Sequence, residues 1–244
     1  MSSLPDGIYR VTRLETVLRS ARWEFAEREA ARIDAHWARA LAQKPKMFDG
    51  TVLLLRDPEL VATPEGDVLR GAFFATAFRN FVAWLAFGAP ASGAYNCFSM
   101  AALRARDGAF LLGEMGADTI NAGQIYFAAG TPDLSDVFGE SVDLAASVAR
   151  EMEEETGFSP QEAPPGPGWR VIVAGARIAC IQERRLALNA EEALARAAVF
   201  IAREKDPELA RLHAARGPQD IDAARMPGFV QLYLRDAFAN QPCG

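Results

Sequence analysis

The sequence predicts an α/β protein with an N-terminal α+β extension over residues 1–94 and a second region over 95–244, and three observations support this. Stretches with apolar residues every three or four positions alternate with short extended segments along the chain. Half of the residues are hydrophobic and 24% are charged, which supplies a real core and excludes wholesale disorder. The 244 residues exceed the usual single-domain size, so one large domain or two modest ones is expected.

The elements follow in order. Residues 7–19 alternate loosely through Ile8, Tyr9, Val11, Thr12 and Val17, which predicts extended chain. A helix is expected from Ser20 to Gln43, because Trp23, Ala26, Ala30, Ile33, Trp37 and Leu41 line one helical face. That stripe reads as core packing. Strands are expected at Thr51–Leu55, after the turn Phe48-Asp49-Gly50, and at Asp67–Phe74, after Pro64-Glu65-Gly66. Phe78, Phe81, Val82 and Leu85 predict a helix over Thr76–Phe87, and Pro90 and Gly93 mark the internal boundary.

Phe98–Arg104 and Phe110–Gly113 flank Arg106-Asp107-Gly108, a hairpin signal. Gln124–Ala128 is a further strand, and the loop Gly130–Gly139 leads into a helix over Ser141–Thr156. Ser141 is its expected N-cap, and Gly157 fits the left-handed position that ends it. A proline-rich loop over Pro160–Gly168 precedes strands at Arg170–Ala174 and Ala176–Ile181. From Ala190 the chain reads helical, with interruptions at Pro207 and Pro227.

Charge and rare residues narrow the function. Lys+Arg number 26 against 32 Asp+Glu, a net charge of −6, which disfavours a broadly basic nucleic-acid binder. Cys97, Cys180 and Cys243 are odd in number and without CxxC spacing, so neither a disulfide framework nor a four-cysteine zinc site is expected. A reducing cytoplasm is the simplest compartment. The first twenty residues carry no apolar signal region. The apolar stretch Gly71–Gly88 is broken by Thr76, Arg79 and Asn80, so no membrane partner is expected. His36 and His213 are the only histidines, which argues against a His-based triad or a multi-histidine metal site.

One segment carries chemistry: Arg150-Glu151-Met152-Glu153-Glu154-Glu155-Thr156-Gly157-Phe158. On a helix, Glu151, Glu154 and Glu155 fall within about 100° of one another while Glu153 points away. Three carboxylates at a helix C-terminus, where the dipole is also negative, are unfavourable alone and favourable around Mg2+ or Mn2+. The segment resembles the core of the Nudix box, REUxEExGU, with Met152 and Phe158 as the apolar positions. The upstream half departs from that pattern. Its Glu and Gly would fall at 142 and 136, where this chain has Val142 and Asp136; Asp143, about 20° from Arg150 on the helical wheel, is the expected substitute. Gly130-Thr131-Pro132-Asp133 looks like the opening of the box loop.

The resemblance implies an α/β/α sandwich with a mixed β-sheet. It also implies Mg2+-dependent hydrolysis of the diphosphate linkage in a nucleoside diphosphate derivative, by attack of metal-activated water. Glu151, Glu154 and Glu155 are then the metal ligands and, with Arg150 orienting them, the catalytic set. Glu183 and Glu204 are candidate external bases. The order of Phe48-Asp49-Gly50, the Phe-rich helix and the Arg-Asp-Gly hairpin is similar to Nudix enzymes that hydrolyse UDP-sugars, which makes an NDP-sugar one expected substrate. Asn121, Gln124, Tyr126 and Gly130, close to the box loop, are candidate substrate contacts. The expected partners are a small-molecule diphosphate and, by the commonest assembly, a second copy in a homodimer. The rival reading is a catalytically inactive Nudix-fold module that binds nucleotides or regulates.

Overall fold

A computed structural model describes residues 4–117, 119 and 121–240. The chain runs β1 (Gly7–Val11), β2 (Arg13–Leu18), α1 (Glu24–Arg28), α2 (Ala30–Gln43), β3 (Thr51–Val61), β4 (Val68–Ala77), α3 (Phe78–Ala86), β5 (Asn96–Arg104) and β6 (Phe110–Met115). It continues through β7 (Ile125–Tyr126), β8 (Ala128–Gly130), β9 (Val137–Phe138), β10 (Ser141–Val142), α4 (Leu144–Thr156), β11 (Trp169–Ala174), β12 (Arg177–Arg185), α5 (Ala190–Ile201), β13 (Leu209–Ala215) and α6 (Gly228–Ala239).

Among the described residues the strands form two sheets. The larger has the order β1-β11-β12-β5-β6-β13, with β7 on β6 and β8 on β5. It is mixed, because β12 and β5 run parallel while the other neighbours are antiparallel. The smaller has the order β3-β4-β2-β10-β9.

Strand periodicity decides the layers. On β5, Phe98, Met100 and Ala102 face a cluster completed by Val230, Tyr233 and Leu234 of α6. The alternate residues Cys97, Ala101 and Leu103 face a cluster holding Leu144, Val148 and Met152 of α4 and Ala190, Ala193 and Ala197 of α5. Leu53 and Leu55 of β3 enter that same central cluster, while Val52 and Leu54 face α1–α3 through Trp23, Phe25, Ile33, Phe81 and Trp84. The expected α/β class, a mixed sheet between helices with an added N-terminal α+β region, is the architecture observed.

Backbone pairing crosses the 94/95 position in both directions. β1 completes the larger sheet on β11, with Tyr9 opposite Val171, and β10 joins the smaller sheet on β2, with Ser141 opposite Val17. No described helix is long and apolar enough to cross a membrane.

Several local expectations are corrected. The helix over 20–43 is two helices broken at Glu29, and Trp23, Phe25 and Ile33 all enter one buried cluster. Ser141 lies in a strand and does not cap α4; Asp143 does. The loop Gly130–Gly139 holds a 3-10 turn over Leu134–Asp136 and the strand β9. The C-terminal stretch read as helical contains β13, which pairs with β6. Cys97 and Cys180 are buried free thiols with their sulfurs 3.9 Å apart, and Cys243 lies outside the described residues. His36 packs edge-on against Phe87, and His213 Nε2 lies 2.7 Å from Glu114.

Candidate active site

The site is built on α4. Asp143 accepts hydrogen bonds from the Ala145 and Ala146 N–H groups at 2.9 and 3.0 Å, which satisfies two of the helix's orphan donors. Gly157 ends the helix at φ +73, and a Cβ there would stand 2.6 Å from the Phe200 ring. Only glycine fits both demands.

Between these caps, Leu144, Val148 and Met152 anchor the inner face, and Glu155, one turn beyond Met152, is carried inward with them. Glu155 is only 7% exposed. One of its oxygens, Oε1, accepts the Ala129 N–H at 3.1 Å, while Oε2 is buried with no partner. Burial pushes this carboxyl well above the ordinary range; the Ala129 N–H opposes the shift and Glu151 adds to it. Burial also raises Glu151 to about 6, against the pull of Arg150. Glu154 is exposed, and Glu153 points to solvent as the helical wheel predicts.

Arg150 knits the cluster. Its guanidinium lies 2.8 Å from Glu151, 3.2 Å from Glu154 and 3.2 Å from Asp136. Burial works against that charge, and Glu151, Asp136 and Glu154 outweigh it, so the guanidinium is held above its usual range. Asp136 is a residue that sequence reasoning missed. Asp143, expected to partner Arg150, is the helix cap, and buried Asp136 takes that place from the 3-10 turn, where it also accepts the Asp133 N–H at 3.1 Å. The signal in the sequence is the Asp133-x-x-Asp136 spacing of a reciprocal cap.

Gly130, on β8 opposite Ser99, lets the chain pass close to Glu151. A Cβ on Gly130 would stand 2.8 Å from Glu151 Cγ and closer still to its carboxylate. Glu151, Glu154 and Glu155 form one wall of a groove of about 190 Å³, and Glu204, Asp206 and Glu208 line it from the segment leading into β13. Glu204, one of the two candidate bases, is therefore in the groove. Glu183 is engaged by Arg185 at 2.8 Å and Arg104 at 3.5 Å and does not line it. Glu208 was not anticipated; its carbonyl accepts the Gly116 N–H at 2.8 Å, tying this wall to the chain after β6.

The Asn121 amide donates to the Tyr126 hydroxyl at 3.1 Å, and burial pushes that phenol up to about 12, with Glu155 and Glu208 adding to the effect. Gln124 is exposed and engages the Asn121 carbonyl through its own backbone N–H. None of these three side chains lines the groove.

Among the described residues no three carboxylate, imidazole or thiol groups converge into a closed metal cage, since Arg150 holds Glu151 and Glu154. The donor set still fits a hard divalent cation. It is all carboxylate oxygen, and the unpartnered Glu155 Oε2 is a buried acceptor for which no protein donor is present.

No protein-family model and no curated protein matches the chain. Among solved structures, it is similar to a Nudix hydrolase from Nitrosomonas europaea at 16% identity and TM-score 0.40, over 59% of this chain and 88% of that one. A MutT protein from Methanosarcina mazei Go1 is similar at 18% identity and TM-score 0.36, over 59% and 92%. A Nudix hydrolase from M. smegmatis is similar at 14% identity and TM-score 0.38, over 64% and 94%.

Proposed function

We propose that this chain is a divalent-cation-dependent pyrophosphohydrolase of the Nudix type, cleaving the diphosphate linkage of a nucleoside diphosphate derivative, with NDP-sugars first among the candidates. One observation carries the reading: the Glu155 carboxylate is buried beside Glu151, with one oxygen unpartnered, on the wall of an acidic groove. A protein that only needed a charged helical face would leave this side chain in water.

Glu151, Glu154 and Glu155 would hold Mg2+ or Mn2+, which when bound supplies charge neutralisation for a diphosphate and a more acidic water. The chain's own residues do the rest. Gly130 leaves room for the Glu151 carboxylate, and the Ala129 N–H fixes the rotamer of Glu155. Arg150 and Asp136 position Glu151 and Glu154 without occupying the groove. Glu204, a groove carboxylate outside α4, is the proposed acceptor of the water's proton.

The test is phosphate or nucleotide release from NDP-sugars, dinucleotides, NADH, CoA and NTPs with Mg2+, comparing the wild type with Glu155→Gln. Loss of on the order of a hundredfold in turnover is expected for the variant. Equal rates would remove the assignment. The rival reading, an inactive binding module, draws on the Arg150 contacts that close Glu151 and Glu154 without a metal. Nucleotide binding with no turnover on any substrate would favour it.

A further inference from the structure

A second cavity, of about 530 Å³, shares no lining residue with the acidic groove. Its walls come from α1, from β3 and from the segment joining α3 to β5. The β3 wall is shaped by a bulge: pairing with β4 shifts register between Arg56 and Glu59, and Asp57 within the bulge takes φ +49. That left-handed conformation is unfavourable for any residue with a side chain. Ala89, at φ +47, is the other such non-glycine among the described residues, and it opens the facing wall. There its N–H donates to the Trp84 carbonyl at 2.8 Å, and Trp84 Nε1 donates to the Pro90 carbonyl at 3.0 Å. Two main-chain hydrogen bonds between Leu55 and Tyr95, at 2.8 and 2.9 Å, pin the walls together. Bulges and left-handed residues held this firmly are features of ligand sites.

Two polar groups lining this cavity have little to bind. Arg56 pairs with no carboxylate among the described residues; its guanidinium lies 5.7 Å from the centre of the Phe74 ring and makes one long contact, 3.4 Å, to the Arg22 carbonyl. Its Nη2 stands beside Gly93, where a Cβ would be 3.7 Å away, so the charged head spans the gap between the two walls. The neighbouring Ser92 Oγ is buried with no partner. We propose that the cavity binds a small organic anion, its carboxylate or phosphate oxygens held by Arg56 and Ser92 and its apolar body against Phe25, Pro58 and Tyr95. A guanidinium presents five donors in a planar fork that matches an oxyacid group, and most of that fork is unused here. The volume suits a small molecule. The two carboxylates of the lining, Glu24 and Asp57, belong to exposed residues, where water and salt screen them. Arg28 adds a second guanidinium to the lining, tied to Glu29 at 3.1 Å. A neutral ligand would leave the Arg56 fork unsatisfied, and a cation would be repelled by it.

The test titrates phenyl phosphate, phenylacetate and benzyl alcohol against the full chain by ligand-observed NMR. A chelator is present, so that no cation draws an anion into the acidic groove. One of the two anions is expected to bind about tenfold or more tighter than the alcohol, and which one it is distinguishes a phosphate ester from a carboxylate. Arg56→Gln should weaken that anion about tenfold and Ser92→Ala on the order of threefold, with the alcohol unchanged in both. Glu155→Gln should leave the anion's affinity as it was. Equal binding of anions and alcohol, binding of neither anion, or an affinity untouched by Arg56→Gln overturns the site. So does weakening by Glu155→Gln, which would put the anion in the groove instead. Thermal melts accompany both cavity variants; if Arg56→Gln does not fold, Ser92→Ala decides, and an unchanged affinity there overturns the site. None of these results bears on the hydrolase reading, which is tested by turnover.

Discussion

Replacing Gly130 with alanine tests the site without touching a carboxylate. The new Cβ would lie 2.8 Å from Glu151 Cγ, against the roughly 3.5–4.0 Å that carbon atoms prefer, so the side chain must retreat by about 1 Å. The neighbour is a glutamate side chain tied to Arg150 and not backbone, and Gly130 is not in the left-handed region, so the main chain resists little. A compatible Gly→Ala change even gains about 0.4–1 kcal/mol through the unfolded chain, and the melting temperature should stay within a few degrees of the wild type. Activity should not survive as well. A displacement of about 1 Å in a catalytic group costs on the order of a hundredfold in rate. The assay is turnover on the best substrate of the panel together with a thermal melt. A Gly130→Ala variant with unchanged melting and a rate within about threefold of the wild type would refute the idea that this glycine keeps Glu151 in place.

The remaining predictions concern stability and pH. Asp136→Asn should lower stability by about 2 kcal/mol, less than the loss of a fully buried pair because Arg150 is one-third exposed and keeps Glu151; a melting shift of roughly 4–8 °C checks it. Gly157→Ala should cost about 2–3 kcal/mol, from a left-handed φ of +73 and a Cβ 2.6 Å from Phe200, measured by denaturant unfolding. In chelator-treated protein, stability should be greatest near pH 4.5 and fall as pH rises through 6. Glu151 is held at about 6 and Glu155 is raised further, so both bind protons more tightly folded than unfolded. The Glu151 part amounts to about 2 kcal/mol, and Glu155→Gln should flatten the remainder of the fall in a pH series of melts.

The helix that carries the glutamates was legible because its signals are local. The apolar spacing, the acidic face and the terminal glycine all lie within one short segment, and only the cap was misplaced, from Asp143 to Ser141. Asp136 was not legible as the partner of Arg150. Its position depends on β10 pairing with β2, residues far apart in sequence, which sets the path of the box loop. β13 was missed because Leu-Ala-Arg-Leu-His-Ala-Ala carries no β-branched residue, and pairing with β6 overrides that preference. The break at Glu29 has no glycine or proline to announce it; it accompanies the packing of Trp23 against Phe74 and Trp84 and of Phe25 against Phe87. What failed in the reading was long-range pairing, and what succeeded was local periodicity.

The partnership of β1 with β11 also sets a timetable for synthesis. Tyr9 sits opposite Val171, so about 160 further residues must leave the ribosome before β1 can find its neighbour. Until then β1 has no neighbour in the larger sheet, and its row of amides and carbonyls is open to any passing strand. β1 thus waits for one of the later strands, and its docking covers the outer edge of β11.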